Sequence, residues 1–485
     1  MSAPVRVTTI RRPAAVADDL IEAYERLLPE YGDGGVFLLE SCSGPAVDVR
    51  TSAVGFAPVL TLDVRDCQVV VGGVAALAAA VRSRVAAADR LVLSSDEGSS
   101  RLREPAALWP LLRLVRDLLA PQYPNAEGLA FFSVFGYDAA RYVEQLPRVI
   151  ADDSPDPDVS LRLHAGLVRR DVRTGVTELL VHESPWWAAP DPDAVLDLLQ
   201  APTGPAVPTN PEATTTLAGD DLTLAEYETR ARACLEHIAA GDVYQVQLGH
   251  EITVRTAASP VEVYRRLRAS NPSPYMYLAH VAGRAVVGAS PELFLRVEDG
   301  TITMRPIAGT ARREAGSAAR LAADPKERAE HVMLVDLCRN DVGRVSSTIT
   351  VPVMMQVEHY STLVHLVSTV QGRLMGDVDP WDVVPATFPA GTMTGAPKVR
   401  AMELIEGLER TRRGFYAGAL GLLGVDGSVN LALCIRTLVG ADGGGYRARA
   451  SAGIVADSRP DAEWRETLIK MGAAVRAVTG TELMT

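Results

Sequence analysis

Lysine is nearly missing from this chain: among 48 basic residues only Lys326, Lys398 and Lys470 are not arginine. Three ammonium groups kept against so strong an arginine bias point to places that need a compact charge rather than a planar fork, with chance under the bias as the alternative. Positive charge is in deficit overall, at a formal net charge of −12. That argues against nucleic acid or an anionic membrane as the main partner, because both select clustered positive charge. An anionic small molecule is not excluded, since a pocket can be positive inside an acidic protein. Cysteine is sparse as well. Cys42, Cys67, Cys234, Cys338 and Cys434 are odd in number and scattered, and no two have C-x2-C spacing, so neither a zinc site nor a disulfide framework is expected. The opening stretch MSAPVRVTTIRRPAAVADDL has arginines but no apolar signal-peptide core, and no later run approaches a membrane span. A soluble, reduced, cytoplasmic protein is expected. Internal repeats are absent, as is the G-x4-G-K-[ST] spacing of a Walker A loop.

Apolar material is ample. At 485 residues, with 47% hydrophobic and 22% charged, the chain can bury a large core and exceeds one typical domain. Over residues 1–200, apolar runs at 36–42, 59–73, 90–95, 161–171 and 176–184 alternate with turns, the pattern of an antiparallel sheet, broken by helical stretches near 14–28 and 105–120. Residues 201–219, APTGPAVPTNPEATTTLAG, are rich in Pro and Thr without periodicity and read as an exposed linker. Residues 220–485 are denser in signals. A capping box of Thr223 and Glu226 opens a helix with Leu224, Cys234, Leu235 and Ile238 on its apolar side and Gly241 at its end, and the strand VYQVQL (243–248) follows. Asp324-Pro325 opens a helix to about Asn340, Pro397 one to about Leu408, and Pro460 one to about Val478.

Two of these helices carry carboxylates three residues apart: Glu327 and Glu330 on one, Glu463 and Glu466 on the other, with Lys470 one turn beyond Glu466. Positions i and i+3 share a helix face, so each pair can converge on one point. Oxygen-only donors suit Mg2+, a hard cation that keeps open positions for water and an anionic substrate. Each pair taken alone is equally a solvated face, and Glu466–Lys470 an ordinary i,i+4 ion pair. The loop PAGTMTGAPK (389–398) gathers backbone N–H groups, the hydroxyls of Thr392 and Thr394 and a helix N-terminus into an anion cradle. SAGIVADS (451–458) is a second small-residue turn, with or without a ligand.

In order along the chain stand YQVQL, NPSPYMYL (271–278), GASPELFLRV (288–297), PIAGT (306–310), ERAEHVMLVDLCRND (327–341), LVHLVSTVQG (363–372), FPAGTMTGAPKVRAMELI (388–405), RRGFYAGALG (412–421), LALCIRTLV (431–439), AGIVADS (452–458) and EWRETLIK (463–470). This succession resembles the chorismate-utilising enzymes, continuously from about residue 220 onward. FLLES (37–41) and FGYDAARYVEQLP (135–147) resemble the anthranilate synthase large subunit in particular. The resemblance implies an α+β fold of two antiparallel sheets packed face to face as a sandwich with helices on the outside. It implies an N-terminal lobe over 1–200 and a chorismate-binding catalytic domain over 220–485. It also implies Mg2+ held by Glu330 and Glu466, supported by Glu327 and Glu463, and gripping the ring carboxylate of chorismate. Glu292 resembles the general acid that protonates the departing C4 hydroxyl, a task that needs a raised pKa. His365 resembles the base that removes the C2 proton. Tyr416 and Arg436 resemble the residues that hold the enolpyruvyl carboxylate; Thr392, Ala452 and Gly453 would line the substrate, and Lys470 would lie near the metal-bound carboxylate.

Two positions choose among the family's branches. Relatives that add water carry a lysine base where this chain has Gln245, and a neutral amide cannot activate water. Aminodeoxychorismate synthases read P-I-K-G-T, with the lysine attacking C2, whereas here the block is Pro306-Ile307-Ala308-Gly309-Thr310. Both departures favour ammonia as the nucleophile at C2. Most ammonia is ammonium at neutral pH, and no nucleophilic Cys in a glycine-rich elbow is present, so a separate glutamine amidotransferase subunit is implied. The expected activity is amination of chorismate followed by pyruvate elimination to anthranilate, in tryptophan biosynthesis. The alternative is amination without pyruvate loss, giving 2-amino-2-deoxyisochorismate. Ser451, where the family usually has glycine, and Gly249-His250, in place of a more usual Ser followed by Gln or Arg, favour that alternative, while His365 favours completing the elimination. A non-catalytic regulatory subunit is a third reading, and would be expected to have lost metal carboxylates or Glu292. Glu40, Ser41, Pro274, Tyr275 and Met276 resemble a tryptophan feedback site, with core packing as the plain alternative.

Overall fold

The computed structural model describes residues 5–481 and 483, apart from 17–18, 97–98, 120–126, 153, 202–214 and 362. Most of the linker expected at 201–219 therefore lies outside the described residues. The apolar runs of the first 200 residues form, among others, the strands Val36–Glu40, Thr51–Arg65, Gln68–Gly73, Val159–Asp171 and Thr177–Glu183. The run 59–73 is a hairpin: Asp66 and Cys67 take positive φ of 47° and 64°, and Arg65 pairs with Gln68. A two-residue turn with both central residues left-handed matches the twist of the strands it joins.

Pairing in the sheet is antiparallel, and it joins the two ends of the chain. Val36–Glu40 pairs with Thr51–Arg65 on one side and with Tyr275–Val281 on the other. Ala130–Phe135 lies between Val159–Asp171 and Ala419–Gly424. These strands are buried along nearly their whole length, which is why they read as unbroken apolar runs rather than as alternation. Phe37 stacks on Phe132 at 4.5 Å, in a core shared with Tyr277 and Phe415. The helices Leu20–Tyr31, Pro260–Ser270 and Pro460–Thr479 bury Tyr24, Leu27, Leu267, Met471 and Val475 against strand residues such as Leu38, Leu278 and Ala448. The architecture is a large antiparallel sheet with helices packed on it.

The local helix signals hold. Thr223 and Glu226 form a reciprocal capping box at the start of Leu224–Ala239. The buried stripe is Tyr227, Ala231 and Cys234, however, while Leu224 in the uncovered first turn is 44% exposed. The Asp324 carboxylate accepts from the N–H groups of Lys326 (2.9 Å) and Glu327 (3.3 Å), capping Pro325–Gly343. Lys398–Leu408 and Pro460–Thr479 begin as their prolines predict, the latter ending at Gly480 in the left-handed region. All five cysteines are free, and no described helix is long and apolar enough to cross a membrane.

Candidate active site

The strand Gln245–Arg255 is the spine of the site. It pairs with Gly395–Ala396 at its start and with Tyr446–Ile454 along most of its length. Gln245 is buried, and its Oε1 has no hydrogen-bond partner. Two glycines make its approach possible. A Cβ on Gly395 would lie 2.1 Å from the Gln245 carbonyl, and one on Gly453 2.5 Å from Gln245 Nε2. The two small-residue turns singled out in the sequence therefore close on one residue, Gly395 on its backbone carbonyl and Gly453 on its side-chain amide.

Thr392 Oγ1 donates to Glu292 Oε1 at 3.1 Å. Burial pushes the Glu292 carboxyl up to about 8, against the opposing pull of the Thr392 hydroxyl, the Ile307 N–H and the Lys470 charge. At neutral pH this is a carboxylic acid with a proton to give. The rest of the expected anion cradle is spent internally: Thr394 Oγ1 donates to the Ala390 carbonyl (3.1 Å), and Lys398 Nζ to Asp341 Oδ2 (2.8 Å) and the Thr387 carbonyl (3.0 Å). Thr394 and Lys398 hold the loop in place, and Thr392 alone of these three side chains meets the acid.

His365 stands opposite Thr310 where Ile307–Arg312 pairs with Leu363–Leu374. A register shift between Ala308 and Thr310 leaves Gly309 unpaired at φ 62°, where a Cβ would lie 2.9 Å from Glu327 Oε2. Such bulges re-aim the side chains beside them. His365 Nδ1 lies 3.0 Å from Thr310 Oγ1 and 3.3 Å from the Gly309 carbonyl. A carbonyl only accepts, so the proton sits on Nδ1 and Nε2 keeps its lone pair. Burial first, then the Arg436 and Lys470 charges, depress this imidazole to about 3, so it is neutral.

The four helix glutamates share one electrostatic environment. Burial lowers the Lys326 pKa, yet Glu330, Glu463, Glu327 and Glu466 together raise it above its ordinary value. Glu330 is pushed up to about 7 by burial and by the other three carboxylates, with Lys326 pulling the other way. Lys470 Nζ, 2.6 Å from Glu466 Oε1, holds Glu466 below the usual range. Burial raises Glu327 and Glu463. Glu330 Oε1 is buried with no hydrogen-bond partner, and Lys326 Nζ stands 3.7 Å from it, so this acceptor faces a cation but no donor at bonding distance. Two of the three lysines thus face this cluster, and the third is paired with buried Asp341.

Among the described residues, the one group of at least three acid, cysteine or imidazole donors with all ligand atoms within 4.8 Å is Asp220, Asp221 and His250, not the four glutamates. The hydrogen bonds there leave no room for an ion. His250 Nδ1 meets Asp220 Oδ1 (2.7 Å), its Nε2 meets Thr467 Oγ1 (2.6 Å), and Asp221 accepts from the Glu251 N–H (2.8 Å) and Thr411 Oγ1 (2.6 Å). With its ring stacked on Trp464 at 4.1 Å, His250 clamps the helix that carries Glu463 and Glu466.

At the far end, Arg436 sits in the left-handed region at φ 53° and donates to the Lys470 carbonyl (3.1 Å), a backbone strain typical of functional sites. Tyr416 OH lies 2.9 Å from Ser451 Oγ, which donates to Gln247 Oε1 at 2.9 Å.

A family model described as chorismate binding enzyme matches residues 77–476. The chain belongs to that family. Among relatives of this chorismate-binding chain, a 2-amino-4-deoxychorismate synthase of Streptomyces globisporus is 52% identical over 100% of this chain and 99% of that protein. An anthranilate synthase component 1 of Mycolicibacterium smegmatis is 37% identical over 97% of this chain and 90% of that protein. Among solved structures, anthranilate synthase component I from Streptococcus pneumoniae TIGR4 superposes with a TM-score of 0.71 at 28% identity, covering 88% of this chain and 92% of that one.

Two further groups lie in this chorismate-binding frame. Met276 is the register partner of Glu40; the Glu40 carboxylate accepts from Tyr264 OH and from Arg268 Nε (3.0 Å), and Ser41 Oγ donates to the Pro274 carbonyl (2.9 Å). Tyr275 OH donates to Asp48 (3.0 Å). Those five residues are neighbours, each already engaged by the protein or packed in its core. Sequence reasoning missed Arg413. This buried guanidinium donates to both Glu409 oxygens (3.0 and 2.7 Å), to the Met393 carbonyl (2.7 Å) and to the Gln247 carbonyl (2.9 Å), tying the Thr392 loop to the spine strand. The available signal was the i,i+4 spacing of Glu409 and Arg413 running into RRGFYAGALG.

Proposed function

We propose that this protein aminates chorismate at C2 with ammonia from a separate glutamine amidotransferase and releases the product with its enolpyruvyl group still attached. The observation that carries this reading is the end-to-end likeness to a relative named for 2-amino-4-deoxychorismate. That compound and 2-amino-2-deoxyisochorismate are one molecule. Isochorismate bears at C2 the hydroxyl that chorismate bears at C4, so an amine at C2 with nothing at C4 is reached from either name.

In this reading Glu292 gives its proton to the C4 hydroxyl, which leaves as water. The N–C2 bond forms, the ring double bonds shift, and the nitrogen sheds its surplus proton. Gln245 Oε1, buried and unpartnered, accepts an N–H of the incoming ammonia without the basicity to activate water. Arg436 and Tyr416 face the enolpyruvyl end, and Thr392, Ala452 and Gly453 line the ring. The Glu330 oxygen, which takes no hydrogen bond and has Lys326 Nζ 3.7 Å away, and the shared field of the glutamates fit a hard divalent cation. Glu330 and Glu466 would hold Mg2+, with Glu327 and Glu463 in support and Lys470 beside it. When bound, the ion supplies charge to anchor the ring carboxylate.

The same reading takes 1–200 as a regulatory lobe and 220–485 as the catalytic domain, with the sheet as two facing layers around the Phe37, Phe132, Tyr277 and Phe415 core. It takes Glu40, Ser41, Pro274, Tyr275 and Met276 as a tryptophan site, tested by whether tryptophan lowers turnover and whether Ser41→Ala abolishes that effect.

One observation favours anthranilate as the released product: neutral His365, with Nε2 free, is equipped to take the C2 proton. Purified protein with chorismate, Mg2+ and concentrated ammonium salt at alkaline pH decides between the two. Chorismate loss without pyruvate is expected, and blue fluorescence with equimolar pyruvate would overturn the retained-enolpyruvyl product. Glutamine should support turnover only once a glutaminase subunit is added.

A further inference from the structure

Gly249 and Ser451, the two departures from the family's usual residues, are direct cross-strand partners in the pairing of Gln245–Arg255 with Tyr446–Ile454. A Cβ at position 249 would lie 2.8 Å from the Ala450 carbonyl and 3.2 Å from both Ser451 Cβ and Glu409 Oε1, closer than packed interiors tolerate. Of these contacts only the one at 3.2 Å to Ser451 Cβ depends on residue 451, so side chains at both positions would crowd each other across the ladder, while the Ala450 carbonyl crowds a Cβ at 249 whichever residue stands at 451.

The exchange re-plumbs the hydrogen bonds beside the enolpyruvyl end. Ser451 Oγ, fully enclosed, donates to Gln247 Oε1 and lies 2.9 Å from Tyr416 OH. An amide oxygen only accepts, and serine has a single hydrogen, already given to Gln247. The one hydrogen of Tyr416 therefore goes to Ser451 Oγ. Tyr416 turns lone pairs rather than a proton toward whatever faces it.

We propose that the Gly249/Ser451 exchange is the positioning device that keeps the enolpyruvyl group on the product, an inference that rests on the function proposed above. Pyruvate loss requires the C2 proton to pass to His365 Nε2. The electrons of that C–H bond enter the ring, the C3–O bond breaks, and enolpyruvate leaves as an anion that takes a proton from water to become pyruvate. A tyrosine hydrogen at that end stabilises the charge developing on the leaving group. Ser451 diverts it, slowing elimination while leaving amination at C2 and water loss at C4 alone.

The test compares wild type, Ser451→Ala and Ser451→Gly with chorismate, Mg2+ and ammonium salt, reading pyruvate formed per chorismate consumed. This ratio is insensitive to a variant's folded fraction, and Ser451→Ala keeps the Cβ, so a backbone defect in the glycine variant leaves a readable arm. The expected ratio rises at least about tenfold in both variants, the scale of one well-aimed donor. A wild type without pyruvate and a Ser451→Ala ratio unchanged from it would overturn the inference and leave the proposed function standing. A wild type releasing equimolar pyruvate would overturn the function itself, and this inference with it.

Discussion

Glu292 is the residue on which the chemistry turns, and its environment makes a quantitative forecast. A carboxyl at its ordinary value of 4.5 would be protonated in about 0.3% of molecules at pH 7, whereas one near 8 is protonated in roughly nine of ten. Burial thus raises the supply of the working acid about 300-fold, equivalent to about 3.4 kcal/mol. Glu292→Gln keeps shape and burial but has no transferable proton, so kcat/KM should fall by about 10²–10⁴. Because the folded pKa is raised, the active form predominates below about 8. Rates supplied through the glutaminase subunit, which removes the ionisation of free ammonia from the profile, should be level near neutrality and fall tenfold per pH unit above that point. Thr392→Val deletes a hydrogen bond that favours the ionised form. The alkaline limb should then move up by about 1–2 pH units, the worth of one charge-assisted bond. A Glu292→Gln enzyme within a few-fold of wild type, or a limb that moves down in Thr392→Val, would refute the reasoning.

Four other outcomes follow from the same geometry. Glu330→Gln and Glu466→Gln should each weaken Mg2+ binding on the order of 10²-fold in calorimetry and abolish turnover with the melting temperature kept; near-normal turnover by either would remove the metal assignment. Gly453→Ala places a Cβ 2.5 Å from Gln245 Nε2 and should cost about tenfold or more in kcat/KM for ammonia, since the displaced amide no longer meets the nucleophile. Arg413→Ala takes the nearer of two guanidinium groups from buried Glu409, leaving the Gly249 N–H at 2.9 Å and Arg449 at 3.8 Å, and should lower unfolding free energy by about 1.5–3 kcal/mol in denaturant titrations; a loss below about 1 would show that the pair does not hold the loop. Glu292 is easier to bury protonated than charged, so its share of stability is present below its unfolded value of 4.5 and lost as pH rises through about 8. Thermal melts of Glu292→Gln should therefore lose less stability over that window than wild type, and parallel curves would contradict it.

The amino-acid sequence by itself determined the parts whose causes are local. Asp324, Thr223 and the prolines at 325, 397 and 460 begin helices because caps act within one turn. The i,i+3 spacing put Glu327 with Glu330 and Glu463 with Glu466 on shared faces, and ordered blocks from 243 to 470 named the chorismate-binding family. Tertiary structure alone decided which of these parts meet. No spacing brings two helices more than a hundred residues apart to bear on one ammonium group of Lys326, and none shows that the Glu292 carboxyl loses enough water to keep its proton. The Gly249–Ser451 exchange was visible as two unrelated departures, and became one feature only through strand register, which depends on long-range pairing that no local window contains. Arg413 is likewise unremarkable as a letter, and acquires its role because burial places its guanidinium against Glu409, the carbonyls of Met393 and Gln247 and the Tyr137 ring.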